Sequence, residues 1–281
     1  MKSRILLLLL ALLWGLPANG QVQPERTTSG AVEDSVFLDL LQRSAVNFFW
    51  VEANSSNGLI KDRSASWSAC SIASVGFGLT AICIGIDRGW IPADKGRQRV
   101  LTTLKTLWSK PQGRDARGYC GYKGFYYHFL NMQTGLRDGT TELSDIDSAL
   151  LLAGIIYSRE YFSGEEPEAI EIRALADSIY HRTDWQWMRN YQPGLTTQWS
   201  PESGFGSGWW SGYNEMMIMY ILGLGSPTHP LPVSVWKAWC GGYNWSTQYG
   251  QTYIIFPPLF GHQYSHCWID FRGIQDDYMR N

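Results

Sequence analysis

The chain has 281 residues and a formal net charge of −2, so its length allows one large domain or two ordinary ones. Its 23 basic residues form no sustained run, which argues against a nucleic-acid partner because no phosphate-binding surface is visible. Aromatic residues make up 14% of the chain, including fourteen tryptophans. This composition suits sugar rings stacking on indoles, although an aromatic core would produce it too.

The first twenty residues predict a secretory signal peptide. Lys2 and Arg4 provide a basic start, residues 5–13 form an apolar run, and small residues at 18–20 form a cleavage site. The apolar run is too short to span a bilayer. Residues 21–34 predict a polar lead-in and residues 35–281 a single domain. We therefore expect a periplasmic or extracellular protein with no membrane span after cleavage.

Hydrophobic periodicity predicts helices that alternate between amphipathic and apolar. Segments 35–53, 93–109 and 167–182 are amphipathic, whereas segments 69–86, 144–162 and 213–224 are apolar for most of their length. Segment 69–86 carries no charge and resembles a membrane span, but its polar residues and amphipathic neighbours favour a helix buried in protein. A short mixed segment covers 233–240, a new helix begins near 274, and residues 111–141 predict a loop with a short hairpin.

This alternation predicts an all-α toroid in which an outer ring of helices surrounds an inner ring, the (α/α)6 architecture. The chain supplies about three and a half of the six helix pairs, so we expect a C-terminally truncated domain. Successive helices run antiparallel, so every inner helix begins at the same end. The polar segments before those starts should therefore converge on one rim.

The cysteines are odd in number and widely spaced, which predicts buried small side chains with at most one bridge that the sequence does not assign. A group near the C-terminus could be imagined as a metal site: Cys240, His262, His266 and Cys267. Pro257, Pro258 and Gly261 predict a loop there instead of a helical face, so we predict no metal.

Glu215 lies at the start of an apolar helix within a stretch that carries very little charge. Neighbouring Trp209, Trp210 and Tyr213 would raise its pKa by desolvation, as a general acid requires. The alternative is that Glu215 only complements the helix dipole in the first turn. Its position on the predicted rim favours the functional interpretation.

The element TELSDIDSALLL brings further carboxylates to the same rim. Ser144 is a good N-cap, and Asp147 three residues later has either a capping role or a functional one. Glu142 and Asp145 are three residues apart and would share one side of a helical turn, with Asp147 pointing away from Asp145. Glycosidic hydrolysis needs a protonated acid and an ionised partner. Glu215 suits the acid and Glu142 or Asp145 the partner; which of Glu142, Asp145 and Asp147 handles the water stays open.

At these motifs the chain resembles the glucoamylase-like domain of glycoside hydrolase family 144, the secreted bacterial β-1,2-glucanases. NGLIKDRS, TELSDID, GYNEMM, SPTHP and DFRGIQD follow in that order across residues 58–277. The resemblance implies an (α/α)6 barrel that hydrolyses β-1,2-glucan with inversion, without metal or organic cofactor. It also implies catalytic acids at Glu142, Asp145 and Glu215, and leaves endo or exo action open.

The rim and these motifs together supply the candidate substrate-binding residues, and we expect a monomer that binds a β-glucan chain. These residues are Asp62, Arg63, Asp147, Trp209, Trp210, Tyr213, Asn214, His266, Trp268, Asp270 and Arg272.

Two other functions fit the pattern. A polysaccharide lyase on a similar toroid would use a Tyr/His pair and would need basic residues for uronic acid substrates, of which the rim offers Arg63 and Arg272. The pairs considered are His266 with Tyr264 and His128 with Tyr127. A glycan-binding protein without catalysis is the third possibility, which is favoured only if the truncation is real in the organism.

Overall fold

The computed structural model describes residues 28–275, with side chains described from residue 33. The predicted signal peptide lies outside the described residues, as do Asp276 and Asp277. The helix predicted to begin near residue 274 therefore falls almost entirely outside them.

The described chain is mainly helical, in the alternating order that the sequence predicts. The helices are α1 (Thr28–Val51), α2 (Ile72–Asp87), α3 (Ala93–Ser109), α4 (Asp145–Tyr161), α5 (Pro167–His181), α6 (Trp185–Arg189), α7 (Met217–Leu224), α8 (Ser234–Gly241) and α9 (Phe260–Gln263), with a 3-10 turn at Ser265–Cys267. Helix α1 begins at Thr28 instead of residue 35. Helix α7 begins at Met217 instead of residue 213, because residues 212–216 form bends and turns.

Helices α2, α4 and α7 form an inner row, in which α4 packs against both of the others. Their side chains are buried over most of their length, as their apolar sequences predict. Helix α1 packs on α2, α5 packs on α4, and α3 packs on α5, which makes these three the outer layer. The apolar segment 69–86 is thus buried in protein as predicted. Across residues 28–275, no helix combines the length and the hydrophobicity needed to cross a membrane.

The inner helices α2 and α4 approach each other backbone to backbone. A Cβ added at Gly154 would lie 2.0 Å from the carbonyl oxygen of Gly76, and one added at Gly76 would lie 2.2 Å from that of Leu150. No side chain larger than hydrogen fits at either position. The two glycines therefore set the spacing of the inner row, around which fully buried Val75, Leu79 and Leu151 pack.

Short strands supplement the helices, so the all-α prediction is right for the helical scaffold but incomplete. The strands are β1 (Cys70–Ser71), β2 (Gly121–Tyr122), β3 (Phe125–Tyr127), β4 (Phe129–Leu130), β5 (Leu143–Ser144), β6 (Trp199–Ser200), β7 (Gly204–Phe205), β8 (Trp245–Gln248) and β9 (Gln251–Ile254). A five-stranded sheet has the order β2-β3-β5-β6-β7, β1 pairs with β4, and β8 pairs with β9. Strands of two to four residues are too short to show alternation in a sequence. The predicted hairpin within 111–141 is β2–β3.

The strands align the starts of two inner helices. Strand β1 runs directly into α2 and β5 directly into α4, and both are antiparallel to the continuous segment 125–130. The register pairs Cys70 with Leu130 and Leu143 with Tyr127. Because β1 and β5 run in the same direction, α2 and α4 begin at the same end, as predicted.

We predict that Gly76→Ala destabilises the protein by about 1–3 kcal/mol, because the added methyl group would overlap the backbone of α4. The measurement is the free energy of unfolding in urea. Gly241→Ala is the matched control, since it is also a helical glycine but its Cβ would meet nothing within 4 Å. We expect that control to be neutral or slightly stabilising. Equal stability of the Gly76→Ala variant and the wild type would contradict the close backbone approach.

Candidate functional site

The site forms where β5 turns into α4. Ser144 is the N-cap of α4: its Oγ accepts a hydrogen bond from the Asp147 N–H at 3.2 Å and donates one to Asp147 Oδ2 at 2.5 Å. The capping arrangement predicted for Ser144 and Asp147 is therefore present in part, because the Asp147 carboxylate accepts from the Ser144 hydroxyl group. The same carboxylate also takes part in a polar cluster beyond the helix.

His128 lies between β3 and β4 and joins two carboxylates. Its Nδ1 is 2.7 Å from Glu142 Oε1, and its Nε2 is 3.6 Å from Asp147 Oδ2. The backbone N–H of His128 also donates to the Glu142 carbonyl at 2.9 Å. Burial opposes protonation of the ring, but the hydrogen bond to Glu142 and the charges of Asp147, Glu142 and Asp62 outweigh it, so the pKa of His128 is raised.

The carboxylates of this cluster have pKa values displaced in opposite directions. The hydrogen bond from His128 lowers the pKa of Glu142, although burial opposes the change. Burial raises the pKa of Asp147, with His128 and Ser144 opposing it. Glu142 is therefore held ionised, while Asp147 keeps its proton to higher pH than a solvated aspartate does.

Glu215 lies in the turn just before α7 and is half-buried. Burial raises its pKa, and the nearby charge of Asp147 adds to the rise. Its Oε2 is buried and has no hydrogen-bond partner among the described residues. Glu215 therefore keeps its proton to higher pH than a solvated glutamate does, as a general acid requires.

Asp145 is completely buried, with 0% of its surface exposed. Its Oδ1 accepts hydrogen bonds from the Ile146 N–H at 2.8 Å and from Trp210 Nε1 at 3.2 Å. Its Oδ2 is buried with no partner among the described residues, and burial raises its pKa well above the ordinary value. Asp145 therefore links α4 to the glycine-rich segment around Trp210, and it has no surface through which to contact a substrate.

The predicted pairing of Glu142 and Asp145 on one helical side does not occur. Glu142 precedes strand β5, and α4 begins only at Asp145, so the three-residue helical spacing does not apply. Asp147 takes that place, because His128 connects it to Glu142. Asp147 contacts Ser144 and His128, whereas Asp145 contacts Trp210, which agrees with the expectation that Asp147 points away from Asp145.

Asp62 also faces the cluster, since its charge raises the pKa values of both His128 and Asp147. Arg63 turns outward: its Nε donates to Asp62 Oδ2 at 2.7 Å, its guanidinium lies 5.9 Å from the Trp67 ring, and 63% of its side chain is exposed. The structure thus brings Asp62, Glu142 and Asp147 of the predicted rim together.

Other predicted binding residues have different surroundings. Tyr213 is buried against the ring of His262 at 5.0 Å, and Asn214 accepts the Met216 N–H at 3.0 Å to shape the turn before α7. Trp209 forms an isolated bridge with Thr196. These residues build the turn that carries Glu215 and lie mainly against protein.

The predicted binding residues near the C-terminus also contact other parts of the protein. Trp268 donates from Nε1 to Thr80 Oγ1 at 3.0 Å, so it lies over the inner row. His266 packs on Phe271 at 4.6 Å, and burial lowers its pKa. Asp270 and Arg272 form an exposed ion pair of 2.6 Å with each other.

Two residues near the carboxylates were identified in the sequence only as lyase candidates. His128 joins Glu142 to Asp147, and Tyr264 lies close enough to Glu215 that the carboxylate raises the pKa of its hydroxyl, after burial as the larger cause. Neither residue lies in a charged motif of its own. Only strand pairing and the return of the chain after α8 bring them to the rim.

No group of three or more His, Cys, Asp or Glu side chains suited to a metal ion occurs among the residues that the structure describes. An open cavity of about 620 Å³ lies beside the ion pair of Arg137 with Glu202. Its lining includes none of Glu142, Asp147 and Glu215.

Comparison with known proteins places the chain among glucan-processing relatives. Residues 208–281 match the family model described as "Putative glucoamylase". A curated relative from Parabacteroides distasonis, an exo β-1,2-glucooligosaccharide sophorohydrolase acting at the non-reducing end, is 24% identical over 253 residues, covering 84% of this chain and 33% of that protein. The resemblance read from the sequence motifs is confirmed.

Solved structures share the fold. A "putative glucoamylase" from Bacteroides uniformis superposes with a TM-score of 0.75 at 28% identity, covering 85% of this chain and 60% of that one. An endo-β-1,2-glucanase from Chitinophaga pinensis has a TM-score of 0.75 at 24% identity, covering 87% and 62%. The chain spans a third of the curated relative's length and about three fifths of these two structures.

We predict that Asp145→Asn makes stability less dependent on pH. The raised pKa means that folded Asp145 keeps a proton that the unfolded chain releases above about pH 4, so wild-type stability falls as pH rises from there toward the raised pKa. Asparagine keeps the acceptor for Trp210 and carries no charge. In urea unfolding between pH 4 and 8, the free energy of unfolding of the variant should increase relative to that of the wild type as pH rises. A constant difference between the two would contradict the assignment of Asp145 as a buried, protonated acid.

Proposed function

We propose that this chain is a glycoside hydrolase that cleaves β-1,2-linked glucan or sophoro-oligosaccharides with inversion of configuration. The observation that carries the proposal is the pair of carboxyl groups near one rim with pKa values displaced in opposite directions, lowered for Glu142 and raised for Glu215. Two titratable groups separated in this way can supply the acid and the base of a hydrolysis at one pH. The activity of the Parabacteroides distasonis relative, a β-1,2-glucooligosaccharide sophorohydrolase, supports the substrate.

In this proposal Glu215 is the general acid. Its buried Oε2, which has no hydrogen-bond partner among the described residues, carries the proton that passes to the leaving glycosidic oxygen as the bond to the anomeric carbon breaks. Burial destabilises the ionised form of the Glu215 carboxyl group, so it favours the protonated starting state from which the proton is donated. The product is a free hydroxyl on the leaving sugar.

Glu142 is the candidate base, because His128 keeps it ionised. It accepts a proton from a water molecule as that water attacks the anomeric carbon from the opposite face. Asp147 shares His128 with Glu142, so it is the alternative base, and its raised pKa makes it the weaker choice at low pH. Asp145 acts indirectly, by holding Trp210 through its Oδ1.

The substrate-binding residues remain part of the proposal. Trp210, half-exposed and oriented by Asp145, and Trp268, held by Thr80, offer indole surfaces on which sugar rings can stack. Asp62 lies close enough to the cluster to bind sugar hydroxyl groups. Arg63 is exposed at its edge.

A lyase acting on uronic acids is less well supported. Its substrate is anionic, whereas the candidate His128 is surrounded by Asp62, Glu142 and Asp147. Like charges in a partly buried site disfavour such a ligand. An unsaturated product that absorbs in the ultraviolet would favour the lyase, and glucan binding without sugar release would favour a binding protein.

The (α/α)6 toroid architecture, of which the chain supplies about three and a half helix pairs, export through the segment 1–20 and a monomeric state belong to the same proposal. The inner row α2–α4–α7 with its outer layer supports the toroid, and the basic, apolar and small-residue order of the first twenty residues supports export. N-terminal sequencing of protein recovered outside the cytoplasm tests the cleavage, since an uncleaved Met1 there would contradict it.

We predict that Glu215→Gln lowers kcat on linear β-1,2-glucan by about 10²- to 10⁴-fold with little change in KM, because glutamine keeps the shape but cannot donate the proton. The measurement is release of sophoro-oligosaccharides by chromatography, with NMR of the first anomer formed to report inversion.

Glu202→Gln is the matched control. Glu202 lies in the same tryptophan- and glycine-rich segment, but it is exposed and paired with Arg137. We expect this variant to retain wild-type turnover. Equal activity of the Glu215→Gln variant and the wild type would contradict the general-acid role, and β-1,3- and β-1,4-glucans serve as substrate controls.

A further inference from the structure

Helix α7 lacks a capping side chain of its own. Its N-cap position is Met216, which makes no side-chain hydrogen bond to the helix. The first backbone N–H groups of a helix have no partner within it, and a nearby hydroxyl or carboxylate normally accepts from the second or third of them. Glu215 immediately precedes this cap, so the position of Glu215 depends on how the first turn of α7 is held.

The missing acceptor comes from a distant part of the chain. Ser265 Oγ accepts the backbone N–H of Ile218 at 3.0 Å across 47 residues of sequence. Ser265 is 4% exposed, and Ile218 is 2% exposed. Ile218 is the second residue of α7, so Ser265 occupies the place that an N-cap side chain would normally take.

The same segment is attached to the inner row at a second point. Three residues beyond Ser265, Trp268 Nε1 donates to Thr80 Oγ1 of α2 at 3.0 Å. Between these contacts the segment covers a small apolar cluster made by α4 and α7, in which Leu150 and Ile218 are buried. Residues 260–268 thus span from α7 to α2 above α4.

Tyr264 extends this cover to the carboxylates. Its ring packs against Phe77 at 5.0 Å and Phe260 at 5.3 Å. The charge of Glu215 acts on its hydroxyl, and that of Asp147 does so more weakly. The charged or titratable groups facing Glu215 are therefore Asp147 from α4 and Tyr264 from this segment; His128, Glu142 and Asp62 lie around Asp147.

We propose that Ser265 is a positioning residue for Glu215: its bond to Ile218 fixes the first turn of α7 and holds residues 260–268 against that turn, so that water is kept from the Glu215 carboxyl. This role deepens the proposed function, since it concerns the same acid. Ser265 itself donates no proton to a substrate, and it affects the reaction only through the position and hydration of Glu215.

The first test measures Glu215 directly and needs no substrate. Carboxyl-¹³C NMR titration of the full chain labelled at glutamate, with Glu215→Gln used to assign the signal, reports its pKa. We expect Ser265→Ala to lower that pKa toward the ordinary glutamate value of 4.5, because the carboxyl becomes hydrated. Ser265→Thr keeps the hydroxyl and should retain the wild-type pKa.

Ser226→Ala is the matched control. Ser226 is also 4% exposed, its Oγ accepts the His229 N–H at 3.2 Å, and it lies just beyond the other end of α7. We expect both serine variants to lower Tm by about 2–4 °C, because each loses one buried hydrogen bond. The pKa of Glu215 should fall only in Ser265→Ala.

Activity supplies the second measurement. With β-1,2-glucan as substrate, Ser265→Ala should move the alkaline limb of the pH profile of kcat to lower pH and leave KM within about twofold, since only enzyme with Glu215 protonated turns over substrate.

An unchanged Glu215 pKa in the Ser265→Ala variant, or an equal fall of that pKa in the Ser226→Ala variant, overturns the positioning role. A wild-type chain that titrates as expected but releases no sugar overturns the proposed function and leaves the positioning role standing.

Discussion

The antiparallel pairing of residues 125–130 with both β1 and β5 is the constraint on which the candidate site depends. Each of those strands continues directly into an inner helix, so two residues of pairing at each junction set where α2 and α4 begin. The backbone contact at Gly76 and Gly154 then sets how far apart the helices lie. His128 lies between the two pairings, so it is held where carboxylates preceding and opening α4 can reach it.

The electrostatics of the site follow from this placement. Glu142 is near a hydrogen-bond donor and is held ionised, whereas Glu215 lies at a helix start where burial is the dominant influence. Neither carboxylate would be unusual alone. In the proposed function, their different environments on one rim supply the donor and the acceptor of protons that breaking a glycosidic bond requires.

Buried polar side chains connect this rim to the rest of the structure. Asp145 joins α4 to Trp210, and Ser265 joins the C-terminal segment to α7. Each is a single hydrogen bond across more than forty residues of sequence. Because unsatisfied polar groups in the interior are costly, such bonds restrict the geometry of their neighbours more than their own strength would indicate.

The amino-acid sequence by itself determined the helical scaffold, its alternation of outer and inner helices and the common rim, because helical periodicity is a local property that extends over many residues. It also singled out Glu215, Glu142 and Asp145 as the catalytic candidates, and Asp147 as a residue with a capping or a functional role. Only the tertiary structure decided that Asp145 is enclosed, that Asp147 instead accompanies Glu142, and that His128 and Ser265 are involved. The reason is that two-residue strands and hydrogen bonds between distant residues leave no periodic trace in the sequence, and the helix start at Asp145 changes which neighbours share a side.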